Sequence, residues 1–349
     1  MKKRLLAAVM ASLMAFTLTS GCGPMIREPQ EEVESSEEDE GLTIGMSFDS
    51  FLIERWQRDR DVFVDQCNSL GAKVNVQNAN GDIDTQISQI EYLISKQVDC
   101  IVVVGIDADA ISNVCAKAKD SGIPVIAYDR MIYYSDVDLY ISFDNKQVGT
   151  LMGQALANYC LKNKAVLVLA GPNEDPNVAQ LDEGFREVMK KRSIRVRDEI
   201  HTPGWRPEYA ADYINEHLDL LDEVDGIMCG NDGIATAVYR VLAEKRKAGR
   251  IKLVGQDADL EACQRVVQGT QVMTVFKPVE KLARAAAEYA VRLAQGDCLD
   301  EIEDTMYDGS HDVPCVLLDP VAVYKDNMDS TVIDGGYHFR EDVYLYDTK

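Results

Sequence analysis

From residue 42 onward the chain alternates apolar runs of strand length with amphipathic helical patterns, almost without a break. The runs are 42–48, 73–77, 100–106, 123–128, 140–143, 165–170, 195–200, 226–229, 251–255 and 271–276. A stretch such as "IPVIAY" is apolar at successive positions, which suits a strand covered on both faces. Between the runs, Ile83, Ile87, Ile90 and Ile94 recur at helical spacing, and so do Val279, Leu282, Ala286, Ala290 and Leu293. Gly71, Gly122, Gly249, Gly269 and Gly296 fall where these helices should end. The pattern predicts doubly wound parallel α/β structure. Some ten strands exceed one compact sheet of ordinary size, so two similar Rossmann-like lobes are expected. The first five strands build one lobe, 41–145, and the next five a second, 146–277. The helix after Pro278 and the tail are expected to return, about 278–312 to the first lobe and about 313–349 to the second.

Residues 1–21 read as an export signal rather than fold. "MKKR" is a positive start, and "LLAAVMASLMAFTL" is an apolar stretch too short to span a bilayer comfortably. "TSGC" places small residues before Cys22 and resembles a bacterial lipoprotein junction, with lipid on the Cys22 sulfur. Thr19 departs from the Leu more usual there. Residues 28–40 hold eight acids and no base, so 22–40 should be a disordered acidic tether. The net charge of −23 argues against nucleic acid and gives no reason to expect anionic lipid headgroups as partners. Eight cysteines follow Cys22 without a CxxC or a histidine at metal-ligand spacing, so no metal is expected. Buried thiols are expected, with Cys298 and Cys315 the one pair worth checking for a disulfide.

In open α/β sheets ligands sit beyond the carboxyl ends of strands. Those ends here are rich in Asp, Asn, Arg, Lys and Trp: "FDSFLIERW", Asp129-Arg130, "AGPNEDPN", "HTPGWRPE", "GND", "GQDAD" and "FKP". Planar carboxylates, amides and guanidinium groups can each bond two neighbouring hydroxyls. Aromatic rings pack on the apolar face of a pyranose. Both tryptophans of the chain, Trp56 and Trp205, lie in these segments, although either taken alone could be a packing residue. Asp82 and Asp107 read as helix caps, and Asp259 as the cap that leaves Asp257 free to face the cleft.

The segments "ERWQRDRDVFV", "AYDRMI", "YISFDN", "GND", "GQDADL", "GTQVMTVFKP", "DTMYDGSHDVP" and "TVIDGGYHF" resemble, in order over residues 42 to about 340, the D-xylose-binding branch of the type I periplasmic sugar-binding family. The resemblance implies two lobes joined by a three-strand hinge, with the sugar enclosed between them. It implies that Arg55 bonds a hydroxyl beside Trp56, and that Asp129 and Arg130 hold adjacent hydroxyls. Asn177 would reach in from the second lobe, Trp205 would stack on the ring, and Asn231, Asp257 and Lys277 would complete the shell. Pro176 departs from the Asn or Asp expected there.

The function so implied is an extracytoplasmic binding lipoprotein, monomeric and without cofactor, which delivers D-xylose or a similar aldose to ABC permease subunits. It would be anchored to the outer face of the cytoplasmic membrane, or periplasmic. A sugar sensor docking on a membrane histidine kinase or chemoreceptor is the alternative. A glycosidase using Asp129 and Asp257 is disfavoured, because Arg130 beside Asp129 should keep it ionised. A sugar-responsive repressor fails because an acidic run stands where a DNA-binding motif would be needed.

Overall fold

The computed structural model describes residues 41–160 and 162–345. The export signal, Cys22 and the acidic tether lie outside the described residues.

The strands are β1 (Thr43–Phe48), β2 (Lys73–Asn78), β3 (Cys100–Val103), β4 (Val125–Tyr128), β5 (Leu139–Phe143), β6 (Ala165–Ala170), β7 (Arg195–His201), β8 (Gly226–Cys229), β9 (Lys252–Gln256), β10 (Met273–Phe276), β11 (Thr305–Tyr307), β12 (Asp312–Leu318) and β13 (Val321–Val323). The helices are α1 (Arg55–Ser69), α2 (Ile83–Ser95), α3 (Ser112–Asp120), α4 (Asn145–Ala157), α5 (Pro176–Arg192), α6 (Glu208–Glu216), α7 (Asp232–Glu244), α8 (Leu260–Gln268), α9 (Val279–Ala294) and α10 (Arg340–Val343). They build two α/β lobes. The first sheet runs β11-β12-β5-β4-β3-β1-β2 and the second β13-β10-β9-β8-β6-β7. β2-β1-β3-β4-β5 and β7-β6-β8-β9-β10 are the same doubly wound order, all parallel.

Strand periodicity explains why the first sheet is covered on both faces. Along β3, Ile101 and Val103 join a core with Ile90, Leu93 and Val114, while Cys100 and Val102 join another with Phe63, Leu282 and Ala286. The isoleucine stripe of α2 turns inward as its spacing requires, with Ile90 fully buried. The five glycines expected at helix ends all have φ between 73° and 82°. Of these, Gly269 closes α8 in the left-handed conformation that a side chain would strain.

The chain crosses between lobes three times: after β5, after β10, and between β12 and β13. The first and third crossings are tied by the Asp144 amide donating to the Leu318 carbonyl at 3.0 Å. The third lies later than expected. β12 pairs in parallel with β5 from Cys315 to Leu318, so the return through residue 318 belongs to the first lobe and not, from 313, to the second. The reason is that β5 would otherwise leave an apolar edge open, and β12 covers it. The tail beyond β13 packs near the end of β9, where the Tyr337 hydroxyl donates to the Asp257 carbonyl at 3.2 Å.

All eight described cysteines are free thiols, so Cys298 and Cys315 do not pair. Burial pushes the Cys115 thiol up to about 12, which leaves it inert at neutral pH.

Candidate functional site

The carboxyl ends of both sheets face the gap between the lobes, and the first turns and loops beyond them meet there. Arg55, Trp56, Asp129, Arg130, Asn177, Trp205, Asn231, Asp257 and Lys277 line one cavity of about 290 Å³, together with Ile53, Asp175 and Gln256. Each element contributes at its own strand end: the loop after β1 and the first turn of α1, the ends of β4, β9 and β10, and the loops after β6, β7 and β8.

The cations are all engaged by carboxylates. Arg55 grips Asp59 through Nε (3.1 Å) and Nη2 (2.7 Å), and Asp129 through Nη1 (2.7 Å). Arg130 bonds Asp49 and the Gly105 carbonyl through Nη1, both at 2.8 Å, and its Nε lies 2.6 Å from Asp175 Oδ2. Lys277 Nζ lies 3.6 Å from Asp257. Asp129 and Arg130 therefore do not pair with each other. Successive residues leave a strand in different directions, and Asp129 has a φ of 66°, which turns the two side chains to different partners. With every cation offset, the cavity suits a neutral polar ligand better than an anion.

Two contacts bridge the lobes inside the cavity. Arg130 meets Asp175 as described, and Asn177 Nδ2 donates to Asp129 Oδ1 at 3.0 Å and to its carbonyl at 3.1 Å. Burial works to raise the Asp129 carboxyl, but Arg55, Lys277 and Arg130 outweigh it and hold the group below its ordinary value. An ionised, acceptor-only carboxylate is suited to gripping hydroxyl donors and unsuited to general-acid work.

Five buried polar atoms around this cavity have no hydrogen-bond partner, Trp56 Nε1, Arg130 Nε, Asn177 Oδ1, Gln256 Oε1 and Asp257 Oδ1, and since Asp175 meets Arg130 Nε as an ion pair, four are left to a ligand. Native interiors satisfy nearly all such atoms, so four in one cavity call for a ligand. The set asks for one acceptor and three donors, and hydroxyls provide both.

The two tryptophans enter from opposite lobes. Trp56 is buried, with the Arg55 guanidinium 4.3 Å from its ring. Trp205 is fixed from behind. A Cβ on Gly171 would lie 2.4 Å from the indole, so only glycine lets the ring lie on that backbone. Its Nε1 donates to Asp175 Oδ2 at 3.0 Å. Trp205 itself has φ 59° and Asp257 φ 97°, backbone strain of the kind that collects where side chains must be aimed.

Asn231 has a divided role: its Oδ1 caps α7, accepting from the Ile234 amide at 2.9 Å, which leaves its Nδ2 for the cavity. Asp82 caps α2 through the Thr85 amide, and Asp107 accepts from the Asp109 and Ala110 amides ahead of α3. Asp259 stands at the N-cap position of α8 but its side chain makes no capping bond. Burial, with Asp232, Asp257 and Glu54 adding to it, pushes its carboxyl well above the usual range, and a protonated carboxyl is the poorer acceptor. Sequence reasoning missed Asp175, Gln256 and Ile53. Asp175 was signalled by its place before Pro176 at a helix start, where it caps α5 through the Asn177 amide at 2.9 Å.

Residues 44–298 match the periplasmic binding protein domain. The chain is 41% identical over 302 residues to the D-xylose-binding periplasmic protein of Escherichia coli, covering 85% of this chain and 91% of that one. It is 39% identical over 315 residues to the D-xylose-binding periplasmic protein of Haemophilus influenzae, covering 89% and 94%. Among solved structures it is similar to an ABC transporter solute binding protein from Clostridium phytofermentans with bound β-D-glucose. That likeness has a TM-score of 0.77 and 29% identity, and covers 86% of this chain and 99% of the other.

Proposed function

The chain belongs to the periplasmic binding protein family, and from that premise we propose that it is an extracytoplasmic solute-binding protein that holds D-xylose between its lobes and delivers it to an ABC permease. The observation that carries this is the set of four unpartnered polar atoms around one cavity whose cations are all offset by carboxylates. In this reading Trp205 is the platform for the sugar ring and Trp56 faces it from the first lobe. Asp129, Asn177, Gln256 and Asp257 accept from ring hydroxyls, while Asn231 and Lys277 donate. Arg55 and Arg130 act chiefly as scaffolding, since their bonds go to carboxylates. Asp175 locks Trp205 and Arg130 in place from the second lobe. No bond of the sugar is broken; the work is lobe closure about the three crossings. The relatives named above are binding proteins, which does not favour a sensor that docks on a membrane kinase.

Titration calorimetry of the purified chain against D-xylose, D-ribose, L-arabinose and D-glucose tests this. D-xylose should bind tightest, and the absence of heat with every aldose would overturn the reading. We further propose that Cys22 is lipidated and that residues 22–40 hold the lobes off the membrane. Cys22→Ala should move the protein from the membrane fraction to the soluble one; continued membrane retention would overturn the anchor.

A further inference from the structure

Beyond the cavity's polar shell lies a second, wider space that opens to solvent, lined by Leu52, Glu54, Pro207, Thr236, Arg240 and Glu261 among others. Ile53, Trp205 and Asn231 line both spaces, so these three side chains form the wall between them. Two of the three are fixed by other bonds. Trp205 is held by Asp175 and backed by Gly171, and Asn231 caps α7. Ile53 has no such tie. It stands in the loop between β1 and α1, half-buried, and packs against the apolar core of the second lobe as well as that of its own. It reaches the second lobe only when the lobes are together, so it closes the wall as the cleft closes.

We propose that Ile53 sets the size limit of the ligand, acting as the apolar stop between the inner cavity and the outer chamber. This rests on reading the inner cavity as an aldose site. A ring with one more carbon on the side facing Ile53 would collide with its branched side chain; with that side chain shortened, the added group would project into the outer chamber. The Ile53 side chain offers no hydrogen bond, so it discriminates by volume alone. One methylene of misfit in an apolar wall is worth roughly 10- to 200-fold in selectivity.

The test is calorimetry on the wild-type chain, Ile53→Ala and Ile53→Val with three ligands. D-xylose is the reference, D-glucose adds a hydroxymethyl group at C5, and methyl β-D-xyloside adds a methyl group at O1, so either end of the ring is probed. In Ile53→Ala the preference for D-xylose over the better of the two larger ligands should fall by about 10-fold or more. Ile53→Val should fall between, and guards against loss of folding in the larger truncation. Equal weakening of all three ligands, or an unchanged preference, would make Ile53 a closing contact only and overturn the proposal. A wild-type chain that binds none of the three would overturn the aldose reading itself, so the two failures are told apart.

Discussion

Arg130→Met is expected to weaken D-xylose binding by at least about 100-fold, from the roughly 3–5 kcal/mol that follows when one partner of a buried ion pair is removed. Arg130 serves two carboxylates in different lobes: Asp49, 7% exposed, and Asp175, 2% exposed. Its loss strands both. The Asp49 part of the cost falls on the stability of the first lobe, because that contact lies within it. The Asp175 part falls on closure, because that contact spans the cleft. Asp175→Asn should therefore reduce affinity while lowering the unliganded Tm less than Arg130→Met does, since the amide oxygen can still cap α5 although the NH2 group then faces the Trp205 N–H. Arg130→Met should lower both. Burial already raises the Asp49 carboxyl against the pull of Arg130. Without the arginine it should rise further, so the folded state then favours the protonated form. Stability of Arg130→Met is retained at low pH and lost as pH rises, so its Tm deficit should be larger at pH 8 than at pH 5. Binding within 10-fold of wild type, or a deficit that shrinks with rising pH, would count against this account.

Trp205→Ala should reduce affinity by about 2–4 kcal/mol, roughly 30- to 1,000-fold, as truncations of central buried aromatic anchors do. The indole is a rigid platform because Gly171 lets it lie flat and Asp175 holds its edge. Alanine removes the ring, lets water onto the ligand face and takes a donor from Asp175. Trp205→Phe keeps the ring and drops the N–H, so it should recover most of the loss. If phenylalanine proves as damaging as alanine, the bond to Asp175 matters and the stacking does not. Calorimetry on the two variants decides it. With Trp56 the only other tryptophan, a fluorescence titration of Trp205→Phe also isolates the first-lobe ring.

The strand–helix alternation made the two lobes legible, because buried parallel strands need continuous apolar runs and their covering helices need a stripe. β11, β12 and β13 were not legible. β11 and β13 are three residues long, and β12 carries Pro314 within a stretch that otherwise reads as loop. The nine residues expected at the site all lie on the one cavity for the simple reason that parallel sheets bring strand ends together. What adjacency in sequence could not convey was pairing. Asp129 and Arg130 are neighbours, yet their partners, Arg55 and Asp175, lie far away along the chain. Asp175 is legible in the sequence only as a helix cap, because its clamp on an indole and a guanidinium exists only in three dimensions.

The late third crossing has a consequence for the order in which the protein is made. The first lobe's sheet takes its penultimate strand from residues 312–318, after the whole second lobe has been encoded, and α9 covers that sheet from residues 279–294. Until those residues leave the ribosome, β5 has a bare edge and α1 lacks the helix it packs against. Such distant pairings close slowly. A nascent chain therefore cannot complete its first lobe until nearly all of it has been synthesised, whereas the five parallel strands of the second lobe are contiguous. For a protein exported as proposed here, the lobe made first is the lobe finished last.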